Sequence, residues 1–262
     1  MRILTSLHGK LLGLGSDKRL VSPKGFVSGN HGSQFYMPAP SVVSYHDDFI
    51  GDALDSRWNI VEGTDSATSD AAILADGIGG VLRFTTGDAG TGLAADMIQM
   101  TQALQWQASN GSLYIESRFK LSAITTCYCF LGFTDVVTLE APIISAASAD
   151  TLTTTATDAV GIMFDTRMAT DNWWLTGVAT DVDAVAQNAG YAPVADTYEV
   201  WRVELTGSGV ATFFRNGIQV GTSMTGAVTA GADLTPTFCI GKTSVAATMT
   251  ADMDYLSIGM AR

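Results

Sequence analysis

Histidine is nearly missing from this chain of 262 residues: only His8, His31 and His46 occur, and none follows Asp47. A Ser-His-Asp triad, a Cys-His pair or a His-ligated zinc within the body is thereby excluded, short of the first residues folding back. Lysine is as sparse there, with Lys120 and Lys242 alone, and no G-x-x-x-x-G-K-[ST] phosphate loop occurs. The three cysteines, Cys127, Cys129 and Cys239, are odd in number and exclude a complete disulfide framework. Cys127 and Cys129 lie two apart in an apolar run, so in a strand they share a face. All three read as small core residues from a reducing compartment, and C-x-C has no histidine nearby to complete a metal site.

Charge is also scarce. Asp, Glu, Lys and Arg make up 15% of the chain, against a usual share of about 25%. Gly, Ala and Thr take up the difference, while Lys and Glu, the usual fillers of exposed helix faces, are few. That balance favours a β-rich protein. No membrane span is read: the uncharged stretch Met97 to Ile115 carries four glutamines and an asparagine. No targeting segment is read either, because His8 and Lys10 interrupt the leucines of the first residues.

The charge that is present is unevenly placed. Residues 1–40 hold five basic residues (Arg2, Lys10, Lys18, Arg19 and Lys24) against Asp17 alone, a net +4, whereas residues 41–262 hold 9 basic and 25 acidic residues, a net −16. An acidic body is repelled by nucleic acid and by anionic membrane, so neither is an expected partner. The first 40 residues also contain six glycines and three of the six prolines (Pro23, Pro38 and Pro40) and little hydrophobic periodicity. Residues 1–44 therefore read as an extended arm, with Leu4, Leu7, Leu11 and Leu12 as its apolar contacts. The arm is either a surface-binding segment, reaching an acidic partner or a neighbouring copy, or a plain soluble leader.

From Tyr45 to Arg262 the patterning is that of one all-β domain. SLYIESRFKL (112–121) alternates, with Leu113, Ile115, Phe119 and Leu121 on one face and Tyr114, Glu116, Arg118 and Lys120 on the other. CYCFLGF (127–133) is apolar on both faces, as a strand covered on both sides would be. VGIMFD (160–165), NWWLTGV (172–178), TYEVWRVEL (197–205), TPTFCIG (235–241) and MDYLSIG (253–259) follow; TYEVWRVEL alternates again, with Trp201, Val203 and Leu205 inward and Arg202 and Glu204 outward. In FFRNGIQVG (213–221), Asn216-Gly217 is a type I′ hairpin turn. Many short strands separated by turn residues give a jelly-roll β-sandwich. Residues 137–158 lack periodicity and read either as a long functional loop or as an edge strand with a wide turn.

Few residues suggest chemistry. The chain has only five glutamates (Glu62, Glu116, Glu140, Glu199 and Glu204), with Glu199 and Glu204 facing opposite ways in a strand. Asp252 and Asp254 share a face at D-x-D spacing, as solvent-facing carboxylates or as a weak glycosidase pair. DTRMATDN (165–172) and TDVDAV (180–185) bring aspartates into loops, as Ca2+ requires, although neither matches an EF-hand. Trp173 and Trp174 are adjacent, so one faces in and the other is free to stack on a ligand. Trp58, Trp106 and Trp201 fall in core patterns.

DDFIGDALDSRWNIVEG (47–63) resembles the opening of concanavalin A-like lectin/glucanase domains, with its Asp-Phe pair, glycine, L-D and W. FKLSAITTCYCFLGFTD, YEVWRVELTGSGVATFFRNGIQVG and the closing MDYLSIG are similar to later strands of that jelly roll. Glucanases of the family carry E-x-D-x-E on one strand, which this sequence lacks, so the resemblance implies a fold without the hydrolase activity. The arrangement also resembles structural proteins of tailed bacteriophages, in which such a domain follows a glycine-rich arm and reinforces the capsid. That likeness implies a non-enzymatic decoration (cement) protein on the virion surface, assembled in the host cytoplasm. It would bind the major capsid protein and copies of itself, as a homo-oligomer such as a trimer, through Arg2, Leu4, Leu7, Lys10, Leu11, Leu12, Lys18, Arg19 and Lys24. The alternative is a carbohydrate-binding module of a head or tail fibre.

Overall fold

The protein is seen in a computed structural model, described for residues 42–64, 67–74, 79–90, 92–138, 141–148, 151–243 and 247–261. The expectations for the arm's nine contact residues, for His8 and His31, and for Glu140 lie outside these described residues.

In chain order the first strands are β1 (Val42–Asp47), β2 (Asn59–Glu62), β3 (Asp70–Ile73), β4 (Leu82–Thr85) and β5 (Ile98–Thr101). Next come β6 (Leu113–Leu121), β7 (Cys127–Thr134), β8 (Ile144–Ser148), β9 (Thr151–Thr154), β10 (Ala159–Asp165) and β11 (Trp173–Ala179). The rest are β12 (Val182–Asp183), β13 (Gln187–Asn188), β14 (Glu199–Leu205), β15 (Ala211–Arg215), β16 (Ile218–Met224), β17 (Thr235–Lys242) and β18 (Thr250–Ala261). One short helix, α1 (Leu93–Asp96), and one 3-10 turn (Ala108–Asn110) are the helical elements among the described residues.

Two antiparallel sheets face each other. The first runs β16-β15-β14-β6-β18-β4-β3, with β1 also paired to β18. The second runs β12-β11-β10-β7-β17-β5-β2, with β13 also paired to β11. Along β6 burial alternates at every residue, as a strand with one face on the core and one face outward requires. β7 is buried at all eight positions because it is central and covered twice. Its inward side chains, Cys127, Cys129, Leu131 and Phe133, meet the first sheet, and its outward Tyr128 and Phe130 join a second apolar cluster.

That second cluster explains residues 137–158. They hold the β8–β9 hairpin, a separate two-stranded sheet lying outside the second sheet, so the edge-strand expectation came closer than the loop. Ile143, Ile144 and Ala146 pack against Tyr128, Phe130 and Met163. The Tyr128 hydroxyl donates to the Ile144 carbonyl at 2.8 Å, and the Ala146 N–H donates to the Asp165 carboxylate at 2.9 Å. The outer face of the second sheet is thus covered around β7 and β10 by the chain itself.

The core is strongly aromatic. Phe84, Phe238, Phe119, Trp173, Phe164 and Trp201 form a continuous run with centroids 5.0 to 5.8 Å apart. Tilted and edge contacts of this kind add about 0.5–1.5 kcal/mol per pair beyond area burial. The motif that carries the family likeness is a hydrogen-bonded fixture. The Asp47 carboxylate accepts from the Trp58 indole (2.8 Å), the Tyr45 hydroxyl (2.9 Å) and the Phe49 N–H (2.9 Å). Phe49 takes a left-handed φ of 53° to bury its ring.

Candidate ligand-binding face

The outer face of the first sheet has no second layer over it among the described residues, and its central side chains are charged or aromatic. Alternation along β6 turns Tyr114, Glu116, Arg118 and Lys120 outward, and along β14 it does the same for Val200, Arg202 and Glu204. Thr212 and Phe214 follow on β15. Register brings them together: Arg202 lies opposite Glu116 on one side and Phe214 on the other, and Glu204 lies between Tyr114 and Thr212.

Arg202 organises the centre. Its guanidinium sits 4.3 Å from the centre of the Tyr114 ring. One terminal nitrogen is 2.6 Å from Glu204 and the other 3.6 Å from Glu116. Its Nε is buried and has no hydrogen-bond partner. Glu116 also accepts from the Tyr255 hydroxyl at 2.9 Å, and burial together with the Glu116 charge raises the Tyr255 phenol above its ordinary value. Two recesses flank Arg202 and Glu204. One, of about 180 Å³, reaches Ser112, Thr206 and Thr212. The other, of about 330 Å³, reaches Glu116, Val200, Phe214 and Gly217. Together they form a trough along β14, on the order of 20 Å at ~3.4 Å per residue.

Asp252 and Asp254 lie on the same sheet face, but in a different state from that expected. A bulge falls between Met253 and Tyr255, so the simple period of two is broken there. The buried Ser117 hydroxyl donates to the Tyr255 carbonyl at this point (2.7 Å). Asp252 is not solvent-facing: it is 5% exposed and receives a two-pronged contact from Arg83 at 2.7 and 2.9 Å, with Lys120 at 3.4 Å. Burial pushes the Asp252 carboxyl up, but Arg83 and Lys120 outweigh it and hold the group below its ordinary value. Asp254 pairs with Arg118 at 2.7 Å.

The remaining candidates separate. Trp173 is the member of its pair that faces in; at 1% exposure inside the aromatic run it has no face left for a ligand. Trp174 lies on the other side of β11, half-buried against the second cluster, and its indole N–H donates to the Thr170 carbonyl at 3.4 Å. Neither borders the trough. In the first of the aspartate-bearing loops, Asp165 is buried beneath the β8–β9 hairpin and taken up by Arg167 and the Ala146 N–H. Among the described residues no three His, Cys, Asp or Glu side chains gather as a metal site. Glu199 and Glu204 do face opposite ways: Glu199 is buried, accepting from Trp201 at 3.0 Å and from Arg215 at 2.9 and 3.1 Å. Arg202 and Phe214 are not among the site residues expected from the sequence. The signal available was the alternation of this strand, whose R-x-E spacing puts Arg202 and Glu204 on the same outward face of β14.

No family model matches the chain, and no curated protein matches it. Solved structures do. A β-glucanase of Bacillus licheniformis superposes with a TM-score of 0.55 at 12% identity, covering 82% of this chain and 97% of that one. The catalytic domain of an endo-1,3-β-glucanase (laminarinase) from Thermotoga petrophila gives 0.55 at 12% identity, covering 83% and 97%. Peanut lectin gives 0.51 at 12% identity, covering 83% and 97%. The chain has the concanavalin A-like jelly-roll fold that these proteins share.

Proposed function

We propose that the protein is a non-catalytic glycan-binding domain whose ligand lies along β14, in the trough on the outer face of the first sheet. The observation that carries this reading is the grouping around Arg202. Phe214 and Val200 provide an apolar platform, and Arg202, Glu116 and Glu204 stand beside it as donors and acceptors. Small-ligand sites combine an apolar lining with a few convergent polar groups in this way. The fold neighbours, glucanases and a lectin, lend weight to a sugar as that ligand.

Binding without hydrolysis is the form the reading takes. Glycoside hydrolysis assigns two carboxyl groups opposite tasks in different surroundings. Here Glu116 and Glu204 share one guanidinium, while Asp252 and Asp254 are held by other cations. The capsid-decoration role, the first expectation from the sequence, rests on residues 1–44, nearly all outside the described residues, and the fold neighbours give it no support.

The test is a screen of oligosaccharides with the wild type, Phe214→Ala and Arg202→Ala, using Trp174→Ala as a control. The reading expects affinities of millimolar or tighter, weakened at least tenfold by the two trough variants and unchanged by the control. Binding that survives both trough variants would move the site elsewhere.

A further inference from the structure

We infer that the trough takes a neutral, hydroxyl-rich sugar chain and rejects acidic ones, and that Glu204 sets this selectivity; the inference rests on the glycan-binding reading above. Among the described residues, Arg202 is the one cation lining the two recesses. An arginine recognises a carboxylate or sulfate best with its forked N–H groups. Both terminal nitrogens of Arg202 already face a carboxylate. One terminal nitrogen faces Glu204 at 2.6 Å, the other faces Glu116 at 3.6 Å, and the flat of the guanidinium lies 4.3 Å from the Tyr114 ring centre. Nε has no partner, but it is buried and out of a ligand's reach, so no free fork is left for an anion.

The carboxylates point to the same ligand. Glu116 and Glu204 against Arg202 leave the trough with one surplus negative charge. Their oxygens accept hydroxyl protons but repel an anion brought to the same place. Of the adjoining cations, Arg118 is neutralised by Asp254; Arg83 and Lys120 share Asp252 and leave one positive charge over, but Lys120 is four residues along β6 from Glu116, about 13 Å, where salt screens it. Over longer range residues 41–262, with 9 basic and 25 acidic side chains, repel a polyanion as well. A single surface charge a few ångströms from the ligand is worth on the order of tenfold in affinity.

Calorimetric titrations with matched pairs test this: gluco-oligosaccharides against oligoglucuronates, and galacto-oligosaccharides against oligogalacturonates. The variant is Glu204→Gln, which removes the charge while keeping the shape of a side chain that is 41% exposed. The wild type should prefer the neutral member of a pair by roughly tenfold or more. Glu204→Gln should bring that preference close to parity by releasing an Arg202 nitrogen for the acidic sugar. Equal binding of both members by the wild type, or a preference unchanged in Glu204→Gln, would overturn the selectivity while leaving glycan binding standing. Failure of every oligosaccharide to bind would instead overturn the glycan-binding reading, and this inference with it.

Discussion

Arg83→Met removes the main partner of a buried carboxylate, and the structure sets how much that should matter. Asp252 is 5% exposed and is held by Arg83 at 2.7 and 2.9 Å. Breaking a fully buried ion pair by removing one partner destabilises by about 3–5 kcal/mol. Two features reduce that figure here. The Arg83 side chain is 40% exposed, so solvent screens part of the interaction, and Lys120 remains at 3.4 Å from the same carboxylate. A loss of roughly 1.5–3 kcal/mol at pH 7 is therefore expected. The sign of the pH dependence follows from the lowered Asp252 pKa. A carboxyl whose folded value is depressed contributes stability above its unfolded value and loses it as pH falls through the folded one. The gap between wild type and variant should accordingly be full at pH 7 and narrow progressively below the unfolded pKa of about 4. Urea titrations at pH 7 and pH 3, followed through the buried Trp173 and Trp201, measure both quantities. A loss under about 0.5 kcal/mol at pH 7, the range of ordinary surface substitutions, would refute the reasoning. So would a gap that does not change with pH.

Other consequences are equally direct. Trp201→Ala, at the end of the aromatic run, should cost about 3–5 kcal/mol in the same urea assay, whereas the half-buried Trp174→Ala should cost clearly less. Gly217→Ala should destabilise by about 1 kcal/mol although nothing lies within 4 Å of an added Cβ, because φ is +79°. An unaffected midpoint would mean that the turn relaxes. Burial pushes the Cys127 and Cys239 thiols up to about 12, and Cys129 well above its ordinary value. A thiol reagent at pH 8 should therefore label none of the three in the native protein and all three in denaturant.

The architecture was legible where one physical rule acts alone. Alternation along 112–121 and 197–205 gave the inward and outward faces of β6 and β14 residue by residue, because each strand has one face on the core. The uninterrupted apolar run at 127–133 marked a doubly covered strand. Asn216-Gly217 gave the hairpin turn, where both residues have positive φ (51° and 79°) and Asn216 is tied to Val200 through its N–H (2.8 Å) and its Oδ1 (3.0 Å). Strands β3, β4 and β5 escaped because each has four residues in Ala-, Gly- and Asp-rich surroundings, too short for periodicity to register. The hairpin β8–β9 escaped because it is held by tertiary contacts, from Tyr128 and Asp165, rather than by its own pattern.

The candidate site was less legible than the fold. Adjacent Trp173 and Trp174 give no indication of which one faces the core, and the second cluster covers most of what remains of Trp174. The D-x-D spacing of Asp252 and Asp254 suggested open carboxylates, but their partners Arg83, Lys120 and Arg118 are up to 169 residues away in sequence. The trough depends on the register of three strands. Glu116 and Arg202 are ordinary outward residues until the pairing of β6 with β14 sets them side by side.

The central claim is that a sugar lies along β14 on the first sheet. Titrating isotope-labelled protein with a neutral oligosaccharide, while following backbone amide shifts, tests it most directly. The account expects the largest changes at Tyr114, Val200, Arg202, Glu204 and Phe214, with the amides of β8, β9 and β10 unmoved. Changes confined to the second sheet and its hairpin, or no changes at millimolar sugar, would contradict it.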